Sequence, residues 1–266
     1  MAASEKADKA GAGEKKKTTG VYVYGIVPAD LEPEQDATGV ADGTVSVVAQ
    51  GEIAALVSEL SVDRALGTPE DLQAHADVLD GTARVAPVLP LRFGAVLSDA
   101  DAVKEELLSA HADEFASALE QLEGKAQYVV KGRYVEKAIL REIIDESDQA
   151  AQLRDAIRDK SEDAGRDARM ALGELVSNAI VAKRDEDTRK TLEALEDLVE
   201  SVNMRDPTHE VEAVQVAVLA DVERQDELEK AVGQLAENWD GRVEMKLLGP
   251  LAAYDFVVTQ KPDGQG

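Results

Sequence analysis

The sequence contains no cysteine, very few aromatic residues and no long apolar run. The absence of cysteine excludes disulfides, thiolate metal sites and a cysteine nucleophile. No apolar run approaches the roughly 18 residues of a membrane span, so the sequence predicts no membrane partner. Aromatic residues make up only 3% of the chain, so the core must consist mainly of Ala, Val, Leu and Ile.

Positive charge is also scarce. The 266 residues include 54 Asp and Glu against 29 Lys and Arg, which gives a formal net charge of -25. A field of this sign repels phosphate backbones and anionic lipid headgroups, so we expect no nucleic-acid partner. The simplest interpretation of the charge is solubility, and the alternative is an acidic face that docks a basic partner.

Neither end of the chain predicts regular structure. Residues 1–19 are rich in Ala, Gly, Lys and Glu and lack the apolar centre of a secretory signal, so they predict a disordered tail. Residues 261–266 predict a frayed end. Together with the lack of cysteine, these features favour a cytoplasmic protein.

Residues 20–123 predict a first α+β domain. The run from Val21 to Val27 is β-branched and aromatic, as in a strand, and two further strands flank a hairpin turn at Gln50-Gly51. Thr68 and Pro69 are an N-cap and a first helical residue. The two prolines of residues 85–94 exclude a helix and a central strand, which leaves an edge strand or an extended segment.

A second helix of this domain should be capped by Ser98 or Asp99 and end at Gly124. Residues 124–260 then predict a second α+β domain. It begins with a strand over 125–135 and continues as a helical block over 136–202. We interpret that block as a helical hairpin with its break near Lys183-Arg184-Asp185. The remaining pattern predicts strands at 211–220, 243–248 and 254–258 and a helix at 223–239.

The predicted fold class is therefore α+β, with two domains of antiparallel or mixed sheets and helices on one face of each. A modified ferredoxin-like plan is the nearest named architecture, with the helical hairpin as an insertion in the second domain.

No motif in the sequence predicts a catalytic, cofactor-binding or metal site. His75, His111 and His209 stand alone, without metal-ligand spacing, and no phosphate-binding loop or nucleophile elbow occurs. Carboxylate pairs are uninformative in so acidic a chain. The cluster Lys15 to Lys17 is interpreted as part of a solvated tail. We therefore expect no catalytic, cofactor or metal site, and an enzyme with an unrecognised carboxylate site is the less favoured alternative.

Four segments together carry a resemblance to a known family. They are VYVYGI (21–26), PVLPLRFG (87–94), LEGK (122–125) leading into a strand, and LGP (248–250) followed by YDFV (254–257). In this order they resemble the GvpF/GvpL family of gas vesicle proteins over roughly residues 20 to 258. The proline-bracketed PVLPLRFG segment is the most specific of them.

This resemblance implies an accessory or minor structural role in forming the gas vesicle shell. The implied partners are the small hydrophobic major shell protein and other gas vesicle accessory proteins, and no catalytic residue or cofactor comes with the family. A location at the vesicle shell is implied in the same way. A generic protein-binding adaptor is the alternative that the residues leave open.

The candidate interaction residues lie in the motif segments. Arg92 stands between Leu91 and Phe93, so its side chain must leave the sheet or find a carboxylate. An internal salt bridge is favoured over a binding role. The aromatic side chains of the motifs are expected in the core rather than at an interface. The full set of candidates is Tyr24, Pro90, Arg92, Phe93, Tyr254 and Phe256.

Overall fold

The structure is a computed structural model that describes residues 19–34, 36–61, 63–158, 160–161 and 164–257. Thr19 begins the first strand, and the rest of the predicted tail, the cluster Lys15 to Lys17 and the predicted frayed end at 261–266 lie outside the described residues. The strands are β1 Thr19–Pro28, β2 Ser46–Gln50, β3 Ile53–Ser61, β4 Leu89–Pro90, β5 Val96–Leu97, β6 Lys125–Tyr134, β7 Ser201–Met204, β8 Glu212–Asp221 and β9 Val243–Leu251. The α-helices are α1 Pro69–Ala83, α2 Ala100–Ala102, α3 Ala112–Leu122, α4 Glu136–Glu146, α5 Asp148–Arg158, α6 Arg166–Leu195 and α7 Gln225–Asn238.

The strands form two antiparallel sheets, so the chain is α+β as predicted. The first sheet has the order β2-β3-β1-β4, with β5 also paired to β1. The predicted hairpin joins β2 and β3, and Gly51 at its tip has a φ of 65°, a conformation that glycine adopts without steric cost. The predicted start of α1 is confirmed as well, because Thr68 and Asp71 form a reciprocal capping box.

Helices cover both faces of the first sheet. Alternate residues of β3 face opposite sides: Leu56 packs with Leu79 of α1, and Ala55 lies in the cluster that contains Leu119 of α3. The expectation of helices on one face is therefore wrong for this sheet. The sheet is covered on both faces because the sequence of β3 begins with IAALV, which is apolar at every position and therefore requires burial on both sides.

The second sheet has the order β7-β8-β6-β9, with its helices on one face. The chain runs β6, three helices, β7, β8, α7, β9. Alternate residues of β6, among them Tyr128 and Val130, lie in the same core cluster as Ile139 of α4 and Leu228 of α7. On the opposite face Lys131 and Lys246 lie side by side and are exposed.

The helical block differs from its prediction in two places. Helix α6 is continuous through Lys183-Arg184-Asp185, because the side chains of Lys183 and Arg184 bind neighbouring elements instead of marking a turn. The described helices are separated at Ser147 and between Arg158 and Arg166. The block also ends early, since residues 201–204 form the edge strand β7 and pair with β8.

The C-terminal segment also departs from its prediction. Strand β9 runs through Gly249-Pro250 to Leu251, and residues 254–256 form a turn rather than a strand. Ala252 and Ala253 are buried in the two clusters that flank the first sheet, and residues 254–256 turn directly after them. Val258, the last residue of the predicted strand, lies outside the described residues. None of the helices in the described ranges is long and apolar enough to cross a membrane.

Candidate functional site

The proline-bracketed segment lies along β1 at the edge of the first sheet. Leu89 and Pro90 pair with Ile26 and Gly25. This edge position is what the two prolines predicted, since proline has no N–H to donate to a further strand. The backbone N–H of Leu91 donates to the carbonyl oxygen of Tyr24 at 2.9 Å. Pro90 is buried, so one side of the segment belongs to the core.

A buried hydrogen-bonded chain holds the following turn. His75 Nε2 lies 3.2 Å from the carbonyl oxygen of Leu91, so Nε2 must carry the proton and donate. His75 Nδ1 then accepts from the hydroxyl of Tyr22 at 2.9 Å, and that hydroxyl accepts from the N–H of Gly94 at 3.1 Å. With His75 neutral, each of its ring nitrogens and the Tyr22 hydroxyl has a hydrogen-bond partner. Residues 91 and 94 are thus fixed from inside.

Burial shifts both titrating groups away from their charged forms. It lowers the pKa of His75, although the hydrogen bond to Leu91 opposes this, and it raises the pKa of Tyr22 to about 12. The ring of His75 stacks on that of Tyr24 with centroids 5.7 Å apart. Both groups are therefore neutral at ordinary pH and serve as hydrogen-bonding struts.

Tyr24 is fully buried, as expected of a core residue. Its hydroxyl lies 2.8 Å from Ser58 Oγ and accepts from the N–H of Val40 at 2.8 Å. Gly39 packs directly against the ring, and a Cβ there would lie 2.0 Å from the hydroxyl oxygen. Glycine is required at this position because of the close approach, and Tyr24 thereby fixes the loop that follows β1.

Arg92 lies in the proline-bracketed segment 87–94, which we name the anchored segment because the contacts above hold it against β1 and α1. Its side chain is exposed, and no carboxylate in the described part of the chain lies within ion-pair distance of it. The prediction of an internal salt bridge is therefore wrong: the side chain leaves the sheet, because its neighbours Leu91 and Phe93 turn inward. Phe93 is half-buried, with its ring centroid 5.6 Å from that of His75.

The C-terminal motif is a clasp between the two sheets. The Gln127 side-chain amide donates to Asp255 Oδ2 at 2.6 Å, while its oxygen accepts from the N–H of Asp255 at 2.9 Å. Arg205 also binds the Asp255 carboxylate. On the other side, the N–H of Ala252 donates to Asp80 of α1 at 2.9 Å. These polar residues were not among the candidates identified from the sequence. The one signal in the sequence was Asp255, a charged residue inside the motif YDFV.

The two aromatic residues of the clasp differ. Phe256 is half-buried against the cluster that contains Val23 and Ile26, in keeping with its expected core position. Tyr254 is 42% exposed, so its expected core position is wrong. Desolvation of its hydroxyl, together with the charge of Asp80 and the nearby Tyr22, raises the pKa of Tyr254. The structure thus brings the first, second and fourth motifs together around β1.

An ionic network joins the helices to the second sheet. The guanidinium of Arg242 binds Glu142 through Nε at 2.6 Å, and Lys183 donates to the same carboxylate at 2.5 Å. Burial alone would raise the pKa of Glu142, but these two cations hold it below its ordinary value. Arg242 Nη1 lies 2.9 Å from buried Asp187, an ion pair whose angle falls short of a hydrogen bond. Asp187 also accepts from the Tyr134 hydroxyl at 2.7 Å.

Helix α5 and residues 166–182 of α6 form a surface that we name the arm. Arg184 binds the backbone at the beginning of β8, so the arm extends beyond that end of the strand. Its apolar stripe is half-buried, and within α5 and α6 the arm contains a single fully buried helical residue, Ala150. The inner part of the stripe, Leu175, Val176, Ala179 and Ile180, packs against the core of the second sheet. Its outer part consists of Leu153, Ile157, Ala168 and Leu172.

Within the described ranges, no three His, Asp or Glu side chains are grouped closely enough to hold a metal ion. His111 and His209 are exposed and lie in different halves of the chain. Two depressions of 620 and 740 Å³ lie on the open face of the second sheet and beside α1.

Comparison with known proteins agrees with the motif segments. The family model described as gas vesicle synthesis protein GvpL/GvpF matches residues 20–258. Gas vesicle protein F of Streptomyces sp. (strain CB03234) is 29% identical over 89% of this chain and 98% of that protein. Gas vesicle protein F of Dolichospermum flosaquae is 24% identical over 89% of this chain and 96% of its own length.

Two solved structures share the fold. The crystal structure of GvpF from Anabaena sp. PCC7120 has a TM-score of 0.75 at 23% identity, over 89% of this chain and 97% of that one. GvpF from Microcystis aeruginosa has a TM-score of 0.70 at 21% identity, over 89% and 98% of the two chains. Because the family model covers nearly all of the described residues, this chain belongs to the GvpL/GvpF family of gas vesicle synthesis proteins, and its role is related to gas vesicles.

Proposed function

We propose that this protein is a non-catalytic assembly or minor structural protein that binds the hydrophobic major shell protein while gas vesicles form. Other gas vesicle accessory proteins are its further partners, and it acts in the cytoplasm and at the vesicle shell. The observation that carries the proposal is the half-covered apolar stripe of the arm. A helix pair that buries its stripe only in part can cover apolar surface on another protein.

The charge of the chain supports the same role. A carrier of net charge -25 repels its own copies, which keeps a complex with an aggregation-prone apolar subunit dispersed. The anchored segment supplies a second contact in this proposal. Arg92 is held out by a fixed turn with no internal partner among the described side chains, so little ordering is needed when it binds.

We also propose that the chain comprises two units, residues 20–123 and 124–260, and that the second is a modified ferredoxin-like domain with the helices α4 to α6 as its enlarged first crossover. The strand order β9-β6-β8-β7 and the chain order of its strands and helices support this assignment. In this proposal the C-terminal segment links the two units: Asp255 binds Gln127 and Arg205 of the second unit, and the N–H of Ala252 donates to Asp80 of the first.

Co-expression with the major shell protein tests the proposed contact. Wild-type protein should keep the shell protein in the supernatant, and the stripe variant Ala168→Gln/Leu172→Gln, whose two residues lie outside the core cluster of the second sheet, should lose that effect. Met170→Gln/Val181→Gln is the matched control, since those two side chains are exposed on the opposite side of α6. Circular dichroism confirms that the helices persist in both variants. Equal precipitation of the shell protein with and without the wild-type chain would contradict the proposal.

Flotation separates the two forms of the role. Vesicles from cells that make this protein are floated, washed with denaturant and immunoblotted. A chain that floats and resists washing is a minor constituent of the shell. A chain that stays in the supernatant acts during assembly and then leaves.

A further inference from the structure

A groove of 740 Å³ lies between the loop after β1 and the C-terminal part of α1. Its interior is apolar, with Leu31 and Val45 from the loop between β1 and β2 and Leu56 from β3. Val78 and Val85 line the side of α1, and Val85 is 78% exposed. An apolar side chain this open to water, next to an apolar depression, indicates a surface that a partner can cover.

Gly81 opens the groove on the side of the helix. It lies inside α1, where glycine is the least favourable residue after proline, and a Cβ there would meet no atom within 4 Å. The local structure therefore does not require glycine. Its effect is to leave the backbone of α1 accessible from the groove, so a bound segment can approach the helix closely.

The charges around the groove all have one sign. Glu32, Glu34, Asp36 and Asp77 line it, and no lysine, arginine or histidine of the described chain does so. Four carboxylates around an apolar interior are complementary to a segment that carries both apolar and basic side chains. A second copy of this chain is a poor occupant, because each copy carries a net charge of -25.

We propose that this groove binds a basic amphipathic segment of a partner protein. Its apolar side chains fill the space in front of Gly81, and its lysines or arginines meet the carboxylates at the rim. The groove is a different surface from the arm, so this site does not depend on the proposed contact with the shell protein, and either can fail without the other.

A fluorescent synthetic peptide of leucine and lysine, patterned as an amphipathic helix, is the probe. We expect Gly81→Leu to weaken its binding at least about tenfold, because the new side chain occupies the groove. Gly233→Leu is the matched control, since Gly233 is also an exposed glycine inside a helix with no neighbour within 4 Å. Leucine favours a helix more than glycine does, so both variants should melt no lower than wild type.

Charge reversal tests the rim separately. Glu34→Lys should weaken the binding of the peptide several-fold, whereas Glu237→Lys, the same change on the exposed side of α7, should leave it within about twofold. A peptide with glutamate in place of lysine should not bind. Equal affinity for both peptides, or for wild type and Gly81→Leu, would overturn the proposal. So would a wild-type dimer that Gly81→Leu converts to a monomer, because a second copy would then be the occupant.

Discussion

The two sheets bury a tyrosine under a helix in the same way but give it partners of different charge. In the first, Tyr22 of β1 binds neutral His75 of α1. In the second, Tyr134 of β6 binds the carboxylate of Asp187 on α6, which in turn faces the guanidinium of Arg242. Burial is the first cause that raises the pKa of either tyrosine. The difference is that the Tyr22 hydroxyl binds a neutral side chain, whereas the Tyr134 hydroxyl binds a charged one.

The hydrogen-bonded series of Tyr22 and His75 is neutral and needs hydrogen-bond partners but no counter-charge. Removal of one member leaves an unpaired polar group. The chain at Tyr134 needs both, since loss of Asp187 leaves part of a guanidinium buried without its anion. The two halves should therefore respond differently to mutation and to pH.

Removal of the buried carboxylate should be the most damaging change. We expect Asp187→Ala to lower the free energy of unfolding by about 3 kcal/mol, because Arg242 and Tyr134 both lose a buried partner. Asp185→Ala is the matched control: it removes a carboxylate from the exposed side of the same helix and should cost less than about 0.5 kcal/mol. Urea denaturation measures both. Equal costs would mean that the network contributes nothing beyond ordinary surface charge.

The tyrosine of the neutral chain should have a smaller effect. Tyr22→Phe removes the partner of both His75 Nδ1 and the Gly94 N–H, and we expect it to cost about 2 kcal/mol. Tyr254→Phe should stay within about 0.5 kcal/mol, because the Tyr254 hydroxyl has no hydrogen-bond partner among the described residues and none is left unpaired by its removal.

The same variant should loosen the turn that displays Arg92. Limited proteolysis with trypsin should cleave after Arg92 faster in Tyr22→Phe than in wild type, since Gly94 loses its anchor. Cleavage at an unchanged rate would show that pairing with β1 fixes the segment without help from the hydroxyl.

Between about pH 7 and pH 5, where histidine titrates and most carboxyl groups do not, the dependence of stability on pH should come from the first sheet. The fold holds the pKa of His75 below its ordinary value of about 6.5, so the unfolded chain gains a proton before the folded chain does. The stability linked to His75 is therefore present above about pH 6.5 and is lost as the pH falls through the lower, folded-state value. We therefore expect the free energy of unfolding to fall between about pH 7 and pH 5.

His75→Gln is the control for that measurement. Glutamine can donate to Leu91 and accept from Tyr22 but does not titrate. Thermal unfolding of this variant should depend less on pH over that range than unfolding of the wild-type chain. Parallel pH profiles for the two proteins would assign the acid sensitivity to other groups.

Local signals in the sequence predicted much of the fold. The hairpin at Gln50-Gly51, the capped start of α1 and the edge position of PVLPLRFG are confirmed because each depends on the chemistry of a few neighbouring residues. The break assigned to Lys183-Arg184-Asp185 was wrong because a charged triplet looks like a turn until its partners are known. Those partners, Glu142 and the backbone at Glu210 and Glu212, come from distant parts of the chain.

Short segments of the sequence specify the strands, most of the helices, the acidic character and the family, since periodicity, turn residues and motif order are local properties. Which polar side chains meet depends on the packing of segments that are distant along the chain. Arg92 has no ion-pair partner among the described side chains, Asp255 binds Gln127 and Arg205, and His75 is held neutral between two hydrogen bonds. No spacing along the chain indicates any of these outcomes. Hydrogen bonds and ion pairs act over a few ångströms in space, so their pattern exists only once the sheets and helices have packed.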